Sequence, residues 1–210
     1  GVRALAALGR TEEAIHYAEA SRGLNDSPVG IARACEEILL ASGRAGEAYQ
    51  RYALDATHGT SYLATYQALA RKYPQKGPEE LLGDLVASTP GDEGKWFATA
   101  KEVGLFDEAI QLANRTPCDP KTLTRAARDF ADERPEFAIE AGLAALRWLV
   151  EGYGYEITGA DVWAAYANTM KAAERAGRAG EVRSRIRTLV ASETHGDKFV
   201  TRILGRELGL

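Results

Sequence analysis

The chain has 210 residues, 45% of them hydrophobic and 27% charged, with a formal net charge of −4. That is enough apolar material to bury a core and too much for a disordered tail. No apolar run spans a bilayer, no basic-then-apolar leader opens the chain, and two cysteines are too few for a disulfide framework or a thiolate zinc site.

Gly1-Val2-Arg3 leads straight into a helical pattern, so the chain reads as the C-terminal part of a longer protein. Abundant Ala, Arg in excess of Lys, and isolated Cys35 and Cys118 suit a bacterial, cytoplasmic setting. Caps and apolar periodicity predict helix pairs at 2–8 with 12–22, 28–42 with 45–56, and 61–73 with 78–88. Further pairs follow at 93–103 with 107–115, 120–132 with 135–151, and 159–176 with 179–193, and a last helix at 197–208. Pro28, Pro78, Pro120 and Pro135 fall in first turns, where the missing N–H costs nothing. No segment alternates with period two, so strands are not expected. In the helix at 135–151, Phe137, Ala141, Ala144 and Trp148 form one apolar stripe, and Ile139, Leu143, Leu146 and Val150 a second. A helix apolar on two sides is packed on both, as inside a stacked array.

One phrase recurs: Gly, a short turn, an acidic residue, then Ala or Val. It stands at Gly9-Arg10-Thr11-Glu12-Glu13-Ala14, Gly43-Arg44-Ala45-Gly46-Glu47-Ala48 and Gly104-Leu105-Phe106-Asp107-Glu108-Ala109, with a weaker copy at Gly177-Arg178-Ala179-Gly180-Glu181-Val182. Gly ends one helix in the left-handed conformation, and the acidic residue meets the N-terminal dipole of the next. Positions 14, 48, 81, 109, 138 and 182 are spaced by 34, 33, 28, 29 and 44 residues, an irregular repeat. Together these features predict one all-α domain over residues 1–210, an α-solenoid or superhelix of antiparallel pairs with about 12 to 13 helices.

The phrases at Gly9 and Gly104 resemble the turn and second-helix start of a tetratricopeptide unit. The aromatic–Leu–Gly pattern of that unit's first helix is missing, so the resemblance implies a degenerate array that binds peptide or protein partners on its concave face. The stretch from Tyr62 to Asp161, with Tyr73-Pro74, Gly94-Lys95-Trp96-Phe97 and Gly152-Tyr153-Gly154-Tyr155, also resembles an uncharacterised bacterial family of helical-repeat proteins. That resemblance implies no activity, and it implies a small zinc-binding module upstream in some members.

Lys121, Arg125, Arg128 and Asp132 mark the polar face of a first helix, and Asn168, Lys171 and Arg175 a similar face on the next first helix. Arginine grips carboxylates bidentately, so Lys121, Arg125, Arg128, Asn168, Lys171 and Arg175 form the expected partner-binding surface. A solvated face would show the same pattern. Tyr62, Tyr66, Leu69 and Tyr73 recur at the spacing of a core stripe. Tyr153 and Tyr155 are expected to fill a gap near Trp148 and Trp163. Asp197 is expected to cap the last helix beside His195.

Residues 171–210 carry 9 Lys+Arg against 5 Asp+Glu, including Arg183, Arg185, Arg187, Lys198, Arg202 and Arg206. They lack interleaved stacking aromatics and belong to a chain of pI about 5.5, which points away from nucleic acid. His16, His58 and His195 have no ligand-spaced neighbours, and no nucleophile elbow or zinc-protease motif occurs. The expected function is therefore a non-catalytic scaffold without cofactor or metal that binds a protein or peptide. The alternative is a regulatory or structural appendage to an upstream zinc-binding or nucleic-acid-associated domain.

Overall fold

In a computed structural model that describes residues 9–20 and 27–210, the chain is all-helical, with twelve helices and no strand among the described residues. The helix expected at 2–8 lies outside them. The described helices are α1 (Thr11–Ala20), α2 (Pro28–Ala41), α3, α4 (Tyr62–Lys72), α5 (Pro78–Ala87), α6 (Phe97–Glu102) and α7 (Phe106–Arg115). They continue with α8 (Pro120–Phe130), α9 (Pro135–Val150), α10 (Gly159–Arg175), α11 (Ala179–Ala191) and α12 (Phe199–Leu208). Helix α3 runs through Ala45–Ala48, a π turn at Tyr49–Ala53, and Leu54–Ala56. Helix α6 is entered through a 3₁₀ turn, Glu93–Trp96, so the single helix expected at 93–103 has a tighter first turn. No described helix is long and apolar enough to cross a membrane.

Local chemistry explains the boundaries. Pro28, Pro78, Pro120 and Pro135 each open a helix, and the side chains of Ser27 and Asp119 accept N–H groups of the first turns they precede. The recurring glycine closes helices as expected. Gly43, Gly104 and Gly177 have φ of 74°, 83° and 68°. Their N–H groups bond to Leu40, Lys101 and Glu174, while those of Arg44, Leu105 and Arg178 reach back to Leu39, Ala100 and Ala173. This double bond pattern is the Schellman motif. The same ending occurs at Gly152 and Gly209, which the repeated phrase does not mark.

The chain forms two compact units that divide between Ser88 and Thr89. In the first, α2 packs on α1 and α3, and α4 on α5. The tyrosine stripe is part of its core: Tyr66, Leu69 and Tyr73 are buried, and Tyr62 is half-buried. Glu36 of α2 is only 4% exposed, and its carboxylate accepts hydrogen bonds from the Tyr73 hydroxyl at 2.6 Å and from Lys72 Nζ at 2.8 Å. In the second unit the helices α7, α9 and α11 pack in succession, and so do α8, α10 and α12. Both apolar stripes of α9 are buried. Gly142 sits where α10 crosses: a Cβ there would lie 1.9 Å from Thr169 Oγ1 and 2.9 Å from its Cβ. Phe97, Phe106, Phe130 and Phe137 join α6, α7, α8 and α9, with ring centres 5.0 to 6.0 Å apart.

Neighbouring second helices are tied at matching positions. Arg44, at the start of α3, pairs with Glu47 and with Glu12 at the start of α1; seven residues on, Arg51 pairs with Glu19. Arg178, at the start of α11, pairs with Glu181 and with Glu136 at the start of α9; seven residues on, Arg185 pairs with Glu140, about one helical turn out of step with the Arg51–Glu19 pair. The repeated turn therefore also carries a repeated contact between successive second helices. These pairs are exposed, so each adds at most about 1 kcal/mol; the matching register of Arg44–Glu12 and Arg178–Glu136 is the informative part.

Candidate functional site

A concave pocket of about 210 Å³ opens in the second unit between α8 and α10. Lys121, Arg125 and Arg128 recur at i, i+4 and i+7 on α8, which puts them on one face. Asp161, Ala164 and Asn168 do the same on α10 at i, i+3 and i+7. Leu149, at the end of α9, and Ile157, just before α10, add apolar surface. Three cations and an amide thus border a partly apolar hollow, with Asp161 the one carboxylate in its lining.

Each charged group has a fixed place. Asp119 caps α8 through Lys121 N–H at 3.1 Å and accepts the Thr122 hydroxyl at 3.0 Å; the Arg125 guanidinium in turn donates to Thr122 Oγ1 at 3.2 Å. Arg128 reaches its neighbour Asp129 at 2.9 Å, in an exposed pair. Asp161 forms a capping box with Thr158, and its Oδ2 lies 3.9 Å from Lys121 Nζ. The Thr158 backbone N–H above all, helped by the Thr158 hydroxyl and the Lys121 charge, outweighs burial and holds the Asp161 carboxyl below its usual range. Asp161 is thus ionised at neutral pH and leaves the lining two positive charges in excess. Low-dielectric walls focus such a field on an anion, and a guanidinium offers two parallel donors to a carboxylate.

Of the six residues expected to bind a partner, Lys121, Arg125, Arg128 and Asn168 meet in this pocket. Lys171 and Arg175 lie farther along α10, outside the lining, and Arg175 pairs with Asp132 at 3.0 Å. The basic C-terminal residues are largely engaged within the chain. Arg183 donates to the Glu207 carbonyl, and Arg187 to those of Leu208 at 3.0 Å and Gly209 at 3.3 Å. These guanidiniums satisfy the orphan carbonyls that end α12. Arg202 pairs with Asp197 at 3.1 Å.

Asp197 does not cap the last helix. Lys198 occupies the cap position with φ 59°, and the first turn is instead held by Glu193, whose carboxylate accepts the N–H groups of Val200 at 3.1 Å and Thr201 at 2.7 Å. A carboxylate six residues upstream of the helix reaches those donors only through the fold of the connecting loop, so no local cap pattern announces it. His195 packs against Gly152, where a Cβ would lie 2.4 Å from its imidazole. Cys118 is buried, and desolvation pushes its thiol up to about 12, which keeps it protonated and unreactive. Among the described residues no group of three or more His, Cys, Asp or Glu side chains could hold a metal ion.

The aromatic loop departs from expectation. Tyr153 does pack edge-on against Trp148, at 5.4 Å between ring centres, but it remains 46% exposed, and Tyr155 is 79% exposed. Both border a second cleft with Pro117 and Pro120. The Gly-Tyr-Gly-Tyr alternation is the sequence signal for that cleft, since glycine lets the loop turn tightly while its aromatic rings stay outside. Compared with known proteins, the chain matches no family model, no curated protein and no solved structure.

Proposed function

We propose that this chain is a non-catalytic, tetratricopeptide-like scaffold of stacked helix pairs that binds a protein or peptide partner on its first helices. The stacking is supported by the repeated Schellman turn and by the Arg–Glu pairs that join successive second helices at one register. Packing of α8 on α10 and of α10 on α12, beside α7 on α9 and α9 on α11, is what a solenoid of such pairs requires. The ligand it suits is an acidic peptide segment.

One observation carries this reading: Lys121, Arg125 and Arg128 of α8 and Asn168 of α10 surround a single hollow with Leu149 and Ile157 in its lining. Cations bind the ligand's carboxylates, an amide can pair with its backbone, and the apolar wall takes the stem of a side chain. The test is fluorescence anisotropy of a labelled peptide of four consecutive glutamates flanked by alanines. Wild type should bind it, more weakly as salt rises. Arg125→Glu with Arg128→Glu should weaken binding at least about tenfold, the loss of two charge-assisted contacts, with circular dichroism unchanged. Equal affinity of the double variant would overturn the assignment.

A further inference from the structure

The second cleft, of about 450 Å³, shares Pro120 and Lys121 with the cationic pocket, so the two hollows adjoin at these residues. Its other lining residues are Pro117, Cys118, Asp119, Tyr153, Gly154 and Tyr155. The loop that presents these rings is held tightly. Gly152 has φ 91° and closes α9, with Tyr153 N–H bonded to the Trp148 carbonyl at 2.9 Å. Gly154 has φ 113°, and a Cβ there would meet Ile157 at 2.6 Å and Pro120 at 3.4 Å. Ile157 also lines the cationic pocket, so one close contact ties the aromatic loop to it.

The chemistry of the walls selects an occupant. Pro117 and Pro120 set two apolar rings without N–H donors in this wall, and the Asp119 carboxylate between them is engaged by Lys121 N–H and the Thr122 hydroxyl. Tyr153 and Tyr155 offer ring faces and hydroxyls, the pairing that lets proline rings stack while peptide carbonyls are hydrogen-bonded. A polyproline-type segment arrives already extended and loses little entropy on docking. The adjoining surplus of cations supplies the charge complementarity for carboxylates in the same peptide.

We propose that the groove is bipartite and recognises an extended peptide in which acidic residues, held by Lys121, Arg125 and Arg128, adjoin prolines that lie on Tyr153 and Tyr155. The proposal rests on the acidic-peptide reading above and adds a second determinant to it.

The experiment compares three labelled peptides of equal length: glutamates followed by prolines, glutamates followed by alanines, and serines followed by prolines. Tyr155 is mostly exposed, so Tyr155→Ala leaves the fold intact. Wild type should bind the glutamate–proline peptide at least about fivefold more tightly than the glutamate–alanine one. Tyr155→Ala should erase that difference while keeping the glutamate dependence. Arg125→Glu with Arg128→Glu should weaken both glutamate peptides. Equal binding of the two glutamate peptides, or a preference that survives both Tyr155→Ala and Tyr153→Ala, would overturn the aromatic subsite and leave the cationic pocket standing. Failure of every peptide to bind at millimolar concentration would remove both.

Discussion

The two units solve the same packing problem with different aromatic residues. Residues 1–88 hold six of the nine tyrosines and no phenylalanine or tryptophan, whereas residues 89–210 hold all five phenylalanines and all three tryptophans. In the first unit tyrosine hydroxyls reach across helices to carboxylates: Tyr49 to Asp84, Tyr52 to Glu19, and Tyr73 to Glu36. In the second, phenylalanine rings meet one another and the long helix α9 fills the interior. A hydroxyl specifies its neighbour by direction, whereas an apolar ring asks mainly for volume. The first unit therefore relies on directed hydroxyl–carboxylate pairs between helices, whereas the second relies mainly on apolar ring and aliphatic packing.

The comparison can be broken most severely at α9. Leu146 is fully buried, and Leu146→Ala should cost about 2–5 kcal/mol through lost burial and a cavity. Because every tryptophan lies in the second unit, the urea midpoint of the tryptophan emission maximum is the measurement; an unchanged midpoint would contradict the packing described. In the first unit the corresponding cut is Glu36→Ala, which leaves the buried Tyr73 hydroxyl without its acceptor at a cost of about 1–3 kcal/mol. Far-ultraviolet circular dichroism reads it. Tyr73→Phe should cost less, because Lys72 still meets Glu36.

Alkaline pH should separate the units further. Burial first, then the adjacent carboxylates, raises the Tyr49, Tyr52 and Tyr73 hydroxyls above their ordinary range. An acid held protonated by the fold contributes stability that is complete below its unfolded value of about 10 and is lost as pH climbs past it. In the second unit the buried Cys118 thiol and the Tyr166 hydroxyl are raised too, so the difference is read in a Cys118→Ala background, where circular dichroism should fall from about pH 10 upward before the tryptophan emission maximum moves. Simultaneous loss would mean that the tyrosine pairs do not set the first unit's alkaline limit.

What could be read in advance follows the range of the forces. Helix ends came through because their causes lie within a few residues: proline at the first turn, Ser27 or Asp119 before it, glycine after the last. Spacing on α8 and α10 likewise made Lys121, Arg125, Arg128 and Asn168 visible as faces, though only packing shows that these faces meet, and that Lys171 and Arg175 lie beyond the pocket. No local sequence pattern marks the π turn in α3, the holding of the first turn of α12 by Glu193 instead of Asp197, or the exposure of Tyr155. Local propensity carries no record of them.

The smallest effect expected here lies where cap and groove coincide. Asp161 both caps α10 and is the negative charge inside the cationic pocket, so Asp161→Asn acts on two quantities with opposite sign. An asparagine keeps the capping geometry but removes a charge from the helix N-terminus, costing about 0.3–1 kcal/mol at pH 7. The wild-type carboxyl is held below its usual range, so its stabilisation is present above the unfolded value near pH 4 and fades as pH falls through the lower folded value. The melting temperatures of wild type and Asp161→Asn should accordingly differ at pH 7 and 5 and draw together as the pH is lowered below the ordinary carboxylate range. At neutral pH the same variant should bind the glutamate peptide about two- to fivefold more tightly, the worth of one exposed like charge removed. Lower stability with tighter binding is the signature of a carboxylate that belongs to both helix and groove; weaker binding would mean that Asp161 organises Lys121 more than it opposes the ligand.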